Sequence, residues 1–311
     1  MIISASYKTD IPAFYGDWFL NRLKAGFCRM VNPYGGQLYT VAMDRDSVDG
    51  FVFWTRNLGP FFHVLDEVAA MKFPFVVQYT STGYPKALDY STIEADRAME
   101  QIRGLSDSFG RRVAVWRYDP LIFTSLTPPG WHLENFARLA GAIAPSVDEV
   151  VVSFAQIYRK TARNMAAAAR AFGFEWHDPE AAQKRGLLAK LAALAAQNGL
   201  RLTLCGQPEL LVEGVGEAVC IDPDRLSDVA GYSVKALEKP HRDCCKCHAS
   251  RDIGEYDTCP HGCVYCYGVM NRTKAKARYR AHDPKSDFLF PPPDGAKEAK
   301  KSGKKAQAEL F

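Results

Sequence analysis

The sequence contains no run of apolar residues long enough for a membrane-spanning helix, which needs roughly 18 of them in succession. Its beginning, MIISASYKTD, lacks the basic start and apolar stretch that are typical of a secretory signal peptide. No glycine-rich dinucleotide-binding motif follows the first apolar segment. These absences argue against a membrane-spanning protein, a secreted protein and a nucleotide-binding open sheet. We therefore expect a cytoplasmic protein with no membrane partner.

Short apolar segments alternate with helix-like segments over the first 260 residues or so. Several of the apolar segments are continuous rather than alternating, as in strands of a parallel sheet that are buried on both faces. Strands are predicted at 2–6, 51–55, 75–80, 113–118, 150–155 and 200–205, and more weakly at 219–221 and 252–258. Helices are predicted at 12–23, 60–71, 91–109, 131–143, 161–172 and 179–197. This alternation predicts an α/β fold of the (β/α) TIM-type barrel class.

The chain is expected to have three parts. Residues 1–240 form the barrel body, residues 241–283 form a cysteine-rich segment that completes the barrel, and residues 284–311 form a flexible basic tail. Residues 272–311 carry eleven Lys and Arg against five Asp and Glu, a charge of +6, which leaves −2 of the net +4 for residues 1–271. A basic tail is usually a solvated segment, and in some proteins it is an arm that contacts nucleic acid.

Polar residues collect where the predicted strands end, which is the face that carries the active site in a barrel. Arg117 and Asp119 stand out, because a charged pair that closes an apolar strand is costly unless it is paired or used. We therefore treat Arg117 and Asp119 as candidate catalytic residues. Their alternative role is an ordinary structural pair.

The nine cysteines need an explanation, since disulfides are rare in a reducing compartment. Six of them lie between Cys244 and Cys266. Among these, Cys259, Cys263 and Cys266 form a C-x3-C-x2-C array, and three thiolates at this spacing can bind three irons of a [4Fe-4S] cluster. The fourth iron then keeps a coordination position open for chemistry.

The array resembles the hallmark of the radical S-adenosylmethionine superfamily, C-x3-C-x-aromatic-C, in which Tyr265 is the aromatic residue. The surrounding CPHGCVYCYG is most similar to the spore photoproduct lyase-like branch, often labelled DNA repair photolyases. The segments IISASYKTDIPAFY and RDIGEYDTCPHGCVYCY also resemble an uncharacterised bacterial family that spans nearly the whole chain.

The superfamily resemblance implies that Cys259, Cys263 and Cys266 ligate the cluster and that S-adenosylmethionine chelates the remaining iron. Reductive cleavage would then give a 5′-deoxyadenosyl radical, with an electron donor such as flavodoxin or ferredoxin. Tyr265 and His261 become candidate cofactor-binding residues. In that superfamily the motif normally follows the first strand, whereas here it lies near the C-terminus. We therefore expect a circularly permuted barrel in which residues 252–258 lie beside residues 2–6.

A zinc ribbon is the main alternative. Cys244, Cys247, Cys263 and Cys266 match the spacing C-x2-C-x15-C-x2-C, which is typical of a structural zinc site. This alternative makes the protein a zinc-stabilised nucleic-acid-binding protein without redox chemistry, and it leaves Cys259 without a role. A third alternative keeps the radical enzyme but gives it a small-molecule or peptide substrate.

A second metal site is also predicted, with Cys205, Cys220, Cys245 and Cys247 as the preferred ligands of a further iron–sulfur cluster or a zinc ion. The alternative is that Cys205 and Cys220 are buried small apolar residues. Cys205 is in addition a candidate catalytic residue that donates a hydrogen atom to a substrate radical. Cys28 is expected to be structural.

The last five residues, QAELF, resemble the pentapeptide with which bacterial DNA polymerases and repair proteins bind the sliding clamp. Gln307, Leu310 and Phe311 would provide the contacts, and a short motif on a tether can dock while the enzyme stays mobile. With the basic tail and the photolyase-like motif, this resemblance favours a DNA substrate and a role in repair.

Overall fold

The computed structural model describes residues 1–32, 35–293 and 295–298. The strands are β1 (Ile2–Ala5), β2 (Phe27–Val31), β3 (Gln37–Ala42), β4 (Gly50–Thr55), β5 (Phe75–Thr80), β6 (Ala114–Arg117), β7 (Phe123–Thr124), β8 (Glu149–Val152), β9 (Trp176–His177), β10 (Arg201–Leu204), β11 (Gly216–Glu217), β12 (Ser250–Asp252) and β13 (Lys297–Glu298). The helices are α1 (Ile11–Phe14), α2 (Gly16–Ala25), α3 (Phe62–Ala70), α4 (Ala95–Phe109), α5 (Pro129–Ile143), α6 (Arg159–Phe172), α7 (Ala181–Gln197), α8 (Pro223–Ala230) and α9 (Arg272–Arg280).

The main sheet has eight strands in the order β11-β10-β8-β6-β5-β4-β1-β12. Every neighbouring pair in it is parallel. Apart from β12, each strand of this sheet lies beside the strand of the same sheet that comes before it in the chain. The strand order therefore never reverses as it does in a doubly wound sheet. The α/β class is confirmed, and the strand order is that of consecutive (β/α) units.

The two faces of the sheet have different partners. On β4, Phe51 and Phe53 belong to a large apolar core with side chains of α2, α3, α4, α5 and α7, while Val52 points to the opposite side. Because side chains alternate along a strand, the same division recurs on β5, where Phe75 and Val77 face the helices and Val76 faces away. Helices therefore cover one face of the sheet.

The opposite face is covered by the chain between β11 and β12. Val52, Val76, Val115 and Val151 pack there with apolar residues between 218 and 247, among them Leu226 of α8. Arg225 of α8 is 1% exposed and donates hydrogen bonds to Asp148 and Glu149 at the start of β8. The helix thereby anchors the segment at the amino ends of the strands.

Two small sheets flank the main one, namely β13-β3-β2 and β7-β9. The β2–β3 hairpin has no counterpart among the predicted strands, and it places Cys28 in a buried strand position rather than between a helix and a loop. The predicted helix at 12–23 is two helices, α1 and α2, separated at Tyr15. In the part of the chain that the structure describes, no helix is long and apolar enough to cross a bilayer.

Two weak strand predictions are wrong in position. Residues 219–221 are not a strand; the strand of this region, β11, lies earlier, at Gly216–Glu217. The eighth strand, predicted at 252–258, is β12 at Ser250–Asp252, and the residues that follow it form a loop. The expected neighbourhood of this strand is nevertheless present: β12 pairs in parallel with β1, Ile3 opposite Arg251.

The segment from Pro284 to Pro293 packs on the body instead of belonging to a flexible tail. Phe288, Leu289 and Phe290 are buried, and Phe290 contacts the ring of Tyr15 with centroids 5.7 Å apart. Trp18 donates a hydrogen bond from Nε1 to the carbonyl of Ser286 at 3.0 Å. The clamp-like motif with Gln307, Leu310 and Phe311 lies outside the described residues.

Candidate functional site

The cysteine loop, residues 259–266, lies at the carboxyl ends of β1 and β4. It follows β12, whose continuation hydrogen-bonds to β1 through the Ile253 amide and the Ser4 carbonyl at 3.0 Å. Asp252 accepts hydrogen bonds from the hydroxyls of Ser4 and Ser6, each at 2.8 Å. These contacts fix the direction in which the chain leaves the sheet and enters the loop. Because parallel strands all end at this edge, the loop occupies the face where (β/α) proteins carry their sites.

The side chain of Asp10 connects the cysteine loop to two other elements. One carboxylate oxygen accepts the amide of Ala13 and so caps α1, and the other accepts the amide of Arg56 at 2.8 Å. The second oxygen also lies 2.8 Å from Nε2 of His261, a buried residue inside the cysteine loop. A single buried carboxylate therefore joins α1, the end of β4 and the loop.

His261 is held by protein groups on both ring nitrogens. Besides the contact with Asp10, its Nδ1 lies 3.4 Å from the carbonyl of Ser91, and the ring packs against Phe14 with centroids 4.7 Å apart. Neither nitrogen is free to ligate a metal in this arrangement. His261 therefore shapes the loop, and its predicted contact with the cofactor would need these bonds to be broken.

Arg56, Asp89 and Tyr265 form a buried hydrogen-bonded network beside the loop. Arg56 donates to the Tyr265 hydroxyl at 2.7 Å and to Asp89 at 2.6 Å, and the Tyr265 hydroxyl donates to Asp89 at 2.7 Å. Burial alone would lower the pKa of Arg56, but Asp89 and its other neighbours raise that pKa well above its ordinary value, so the guanidinium stays charged. The aromatic residue of the motif is thus locked in place by an ion pair.

The three loop thiols are half-buried and receive hydrogen-bond donors. Arg56 approaches Sγ of Cys263 at 3.6 Å, and the amide of Gly268 donates to Sγ of Cys266 at 3.2 Å. Burial raises the pKa of all three thiols, and each of Cys259 and Cys266 raises the pKa of Cys263 further through its charge. The three thiols would therefore become thiolates only with a compensating positive charge.

A cubane cluster is compatible with this donor set. Within the described ranges, no group of three or more Cys, His, Asp or Glu side chains is arranged to hold one metal ion. A cubane cluster does not require such convergence, since each thiolate binds a different iron. The nearby amides and the Arg56 cation are the groups that stabilise cluster thiolates. The residues present therefore fit a cluster bound by Cys259, Cys263 and Cys266.

Four other cysteines, Cys205, Cys220, Cys245 and Cys247, form a second group, which we call the inner cysteine group. Sγ of Cys205 lies 3.7 Å from Sγ of Cys220, and the amide of Cys247 donates to Sγ of Cys245 at 3.4 Å. The thiols of Cys220 and Cys245 both influence the pKa of Cys247. All four are buried in the apolar cluster on the face of the sheet opposite the helices, which we call the inner face. The structure thus brings together the four residues that the sequence predicts as a set.

Arg117 and Asp119 belong to the surroundings of the inner cysteine group. Arg117 donates two hydrogen bonds to the Asp119 carboxylate, at 3.1 and 2.6 Å, and a third to Sγ of Cys220 at 3.0 Å. The Asp119 carboxylate neutralises the buried positive charge of Arg117. The two residues thus satisfy each other, which accounts for a charged pair at the end of an apolar strand, and their catalytic role stays a prediction.

The zinc-ribbon set is divided between two regions. Cys247 is buried with the inner cysteine group, whereas Cys263 packs against a separate apolar cluster with Tyr84 and Tyr265. Cys244 is exposed. Four thiols on one ion must lie within a few ångströms of each other, since Zn–S bonds are about 2.3 Å long. The spacing of the sequence is thus not matched by a common location.

A small cavity of about 140 Å³ is lined by Arg56 and Asp89, which contact the cysteine loop. The end of β5 and the residues after it, Thr80 to Tyr84, also line it. The position of Arg56 after a strand was visible in the sequence, but Asp89 gave no signal, because it lies in an irregular segment. The pairing of its backbone with Cys263 could only be found in the structure.

A family model described as "Domain of unknown function (DUF1848)" matches residues 2–268, and the chain therefore belongs to this family. No curated protein and no solved structure matches the chain.

Proposed function

We propose that this member of the DUF1848 family is a radical S-adenosylmethionine enzyme that binds a [4Fe-4S] cluster through Cys259, Cys263 and Cys266. The observation that carries the proposal is that these three half-exposed thiols share one loop at the carboxyl edge of a parallel sheet, where the Arg56 guanidinium approaches Sγ of Cys263 and the Gly268 amide donates to Sγ of Cys266. When bound, the cluster would supply the electron that cleaves S-adenosylmethionine into methionine and a 5′-deoxyadenosyl radical.

The protein's own groups would keep the cluster thiolates charged and one side of the site open. Arg56 offsets negative charge at Cys263, and the amide of Gly268 does so at Cys266. The Gly262 backbone has φ of +79°, a conformation that side chains rarely adopt, and a Cβ there would lie 2.4 Å from Nε of Arg272. The tight turn between Cys259 and Cys263 therefore depends on this glycine.

The proposed architecture is a circularly permuted barrel. β11 and β12 stand at the two ends of the strand order, and the chain between them covers the inner face of the sheet. We propose that this segment bridges the two ends and that β12 occupies the place of the first strand of other radical S-adenosylmethionine proteins. The parallel pairing of β12 with β1 supports the permutation.

Nucleic acid is the proposed substrate class, because aromatic and basic side chains surround the cysteine loop. Tyr256, Tyr267, Met270 and Tyr279 are all exposed by 40% or more. α9, which begins six residues after Cys266, contains five Lys and Arg and no acidic residue. Exposed rings that can stack on bases, interleaved with cations that can bind phosphates, are typical of single-strand binding surfaces.

The cluster is tested by measuring iron and acid-labile sulfide after anaerobic reconstitution. We expect about four irons and four sulfides per chain that depend on the loop thiols. Cys259→Ala should lose them, whereas Cys244→Ala, which removes an exposed cysteine outside both groups, should keep them. The zinc-ribbon alternative predicts zinc and no acid-labile sulfide in the wild type, with the zinc lost in Cys244→Ala and kept in Cys259→Ala. A Cys259→Ala protein with full iron and sulfide would refute the proposal.

The nucleic-acid surface is tested by fluorescence anisotropy with a short single-stranded DNA. Replacing Lys274 and Lys276 of α9 by Glu should weaken binding at least about tenfold and reduce its salt dependence, because phosphate contacts release counterions. Lys190→Glu, an exposed site on α7, makes the same kind of change away from the loop and should have little effect. Equal weakening by the two sets would show that binding does not use α9.

A further inference from the structure

The inner cysteine group has the ligand set of a tetrahedral tetrathiolate metal site. Four ligands at a Zn–S distance of about 2.3 Å are separated from each other by about 3.8 Å. The sulfurs of Cys205 and Cys220 are 3.7 Å apart. Cys245 and Cys247 are buried in the same apolar cluster as these two, and the thiols of Cys220 and Cys245 shift the pKa of Cys247.

The chain positions that supply these thiols come from three separate elements. Cys205 follows β10, Cys220 precedes α8, and Cys245 and Cys247 lie in the segment before β12. In the described ranges no three side chains surround one point at ligand distance. Metal binding would therefore require cysteine side chains to rotate about their Cα–Cβ bonds, which moves a sulfur by more than an ångström.

Two guanidinium groups contact sulfurs of the group. Arg117 donates to Sγ of Cys220 at 3.0 Å, and Arg242 donates to Sγ of Cys205 at 3.2 Å. Gln78 donates to the backbone carbonyl of Cys220 at 3.0 Å and so fixes that residue on the sheet. A tetrathiolate zinc site carries a net charge of −2, and charged hydrogen-bond donors to the sulfurs are what such a site needs in a buried place.

We propose that Cys205, Cys220, Cys245 and Cys247 bind one Zn²⁺ ion as a tetrahedral tetrathiolate. Binding replaces the four thiol protons by the ion and releases them to solvent. The ion would cross-link the end of β10, the start of α8 and the segment that leads to β12. It would thereby fix the chain that covers the inner face of the sheet and delivers the cysteine loop to its edge. This site is independent of the cluster on Cys259, Cys263 and Cys266.

The test uses the full chain with Cys259, Cys263 and Cys266 all replaced by Ala, so that the loop cannot bind iron and the outcome does not depend on radical chemistry. Purified anaerobically and dialysed against Zn²⁺, this variant should contain about one zinc per chain. With Co²⁺ in place of Zn²⁺ it should show the strong visible bands of tetrahedral thiolate coordination. This spectrum needs no substitution within the proposed site.

Substitution then assigns the ligands. On the same background, Cys220→Ser with Cys247→Ser should lower zinc affinity at least about 100-fold, while Cys244→Ser, a neighbouring exposed cysteine, should leave it unchanged. A folded triple-alanine variant that holds less than about a tenth of an equivalent of zinc and gives only the weak cobalt spectrum of oxygen ligands would overturn the proposal. Iron with acid-labile sulfide at this site would overturn it as well.

Discussion

At the scale of single residues, the cysteine loop is positioned by buried polar side chains rather than by backbone pairing alone. Asp10 links α1, Arg56 and His261, and the hydroxyl of Tyr15 donates to the Thr258 carbonyl at 2.6 Å just before the loop begins. Since each of these groups is buried, the loss of one partner would leave another without its hydrogen bond. The conformation of the loop is therefore tied to residues far away in the sequence.

His132 on α5 provides a prediction about pH. It is fully buried, with Nε2 lying 2.9 Å from the Ile122 carbonyl and Nδ1 lying 3.2 Å from the Tyr118 hydroxyl. Burial lowers its pKa from 6.5 to about 4, so the unfolded chain takes up a proton at a higher pH than the folded protein does. The stability that this histidine provides is present above about pH 6.5 and is lost as the pH falls towards 4.

We expect the difference in unfolding free energy between the wild type and His132→Gln to change by about 2 kcal/mol between about pH 7 and pH 4.5, the wild type losing more. Urea denaturation at the two pH values measures this difference. His63→Gln, an exposed histidine on α3, should follow the wild type. Equal pH dependence in wild type and His132→Gln would show that His132 does not titrate on unfolding.

At the scale of elements, continuous apolar segments predicted the central strands. The prediction failed for strands that form only because of contacts with distant parts of the chain. β5 lies where the sequence predicts it, because 75–80 is almost entirely apolar. β12 has the sequence SRD, with no apolar residue, and exists because β1 offers a free edge to pair with. The same limit applies to residues 288–290, whose three apolar side chains are too few to show a period and are flanked by prolines.

Leu289 tests whether the segment after α9 is part of the folded body. Its side chain is 2% exposed and belongs to the main apolar core. Leu289→Ala should lower the free energy of unfolding by about 2–4 kcal/mol, because it removes buried methyl groups and leaves a cavity. Chemical denaturation provides the measurement, with Leu237→Ala, at 83% exposure, as a matched control. A loss below about 0.5 kcal/mol for Leu289→Ala would mean that this segment contributes nothing to the core.

At the scale of the whole molecule, topology explains how seven of the nine cysteines come to lie in two groups. Because the strands are parallel, their carboxyl ends share one edge, and both Cys205 and the cysteine loop follow strand ends. The sequence could predict both groups from spacing and residue type. It could not predict Asp89, which contacts Arg56 and Tyr265, or Arg242, which donates to Sγ of Cys205, because both lie in irregular segments without a pattern around them.

The central claim, that the cysteine loop supports radical chemistry, is tested most directly by following S-adenosylmethionine itself. The protein is reconstituted anaerobically with iron and sulfide, reduced and incubated with S-adenosylmethionine, and the products are separated by liquid chromatography with mass detection. We predict 5′-deoxyadenosine and methionine from the wild type and from Cys244→Ala, and neither from Cys259→Ala, in which the cluster loses a ligand. A reduced, cluster-loaded wild-type protein that forms no 5′-deoxyadenosine would show that the cysteine loop does not support radical chemistry.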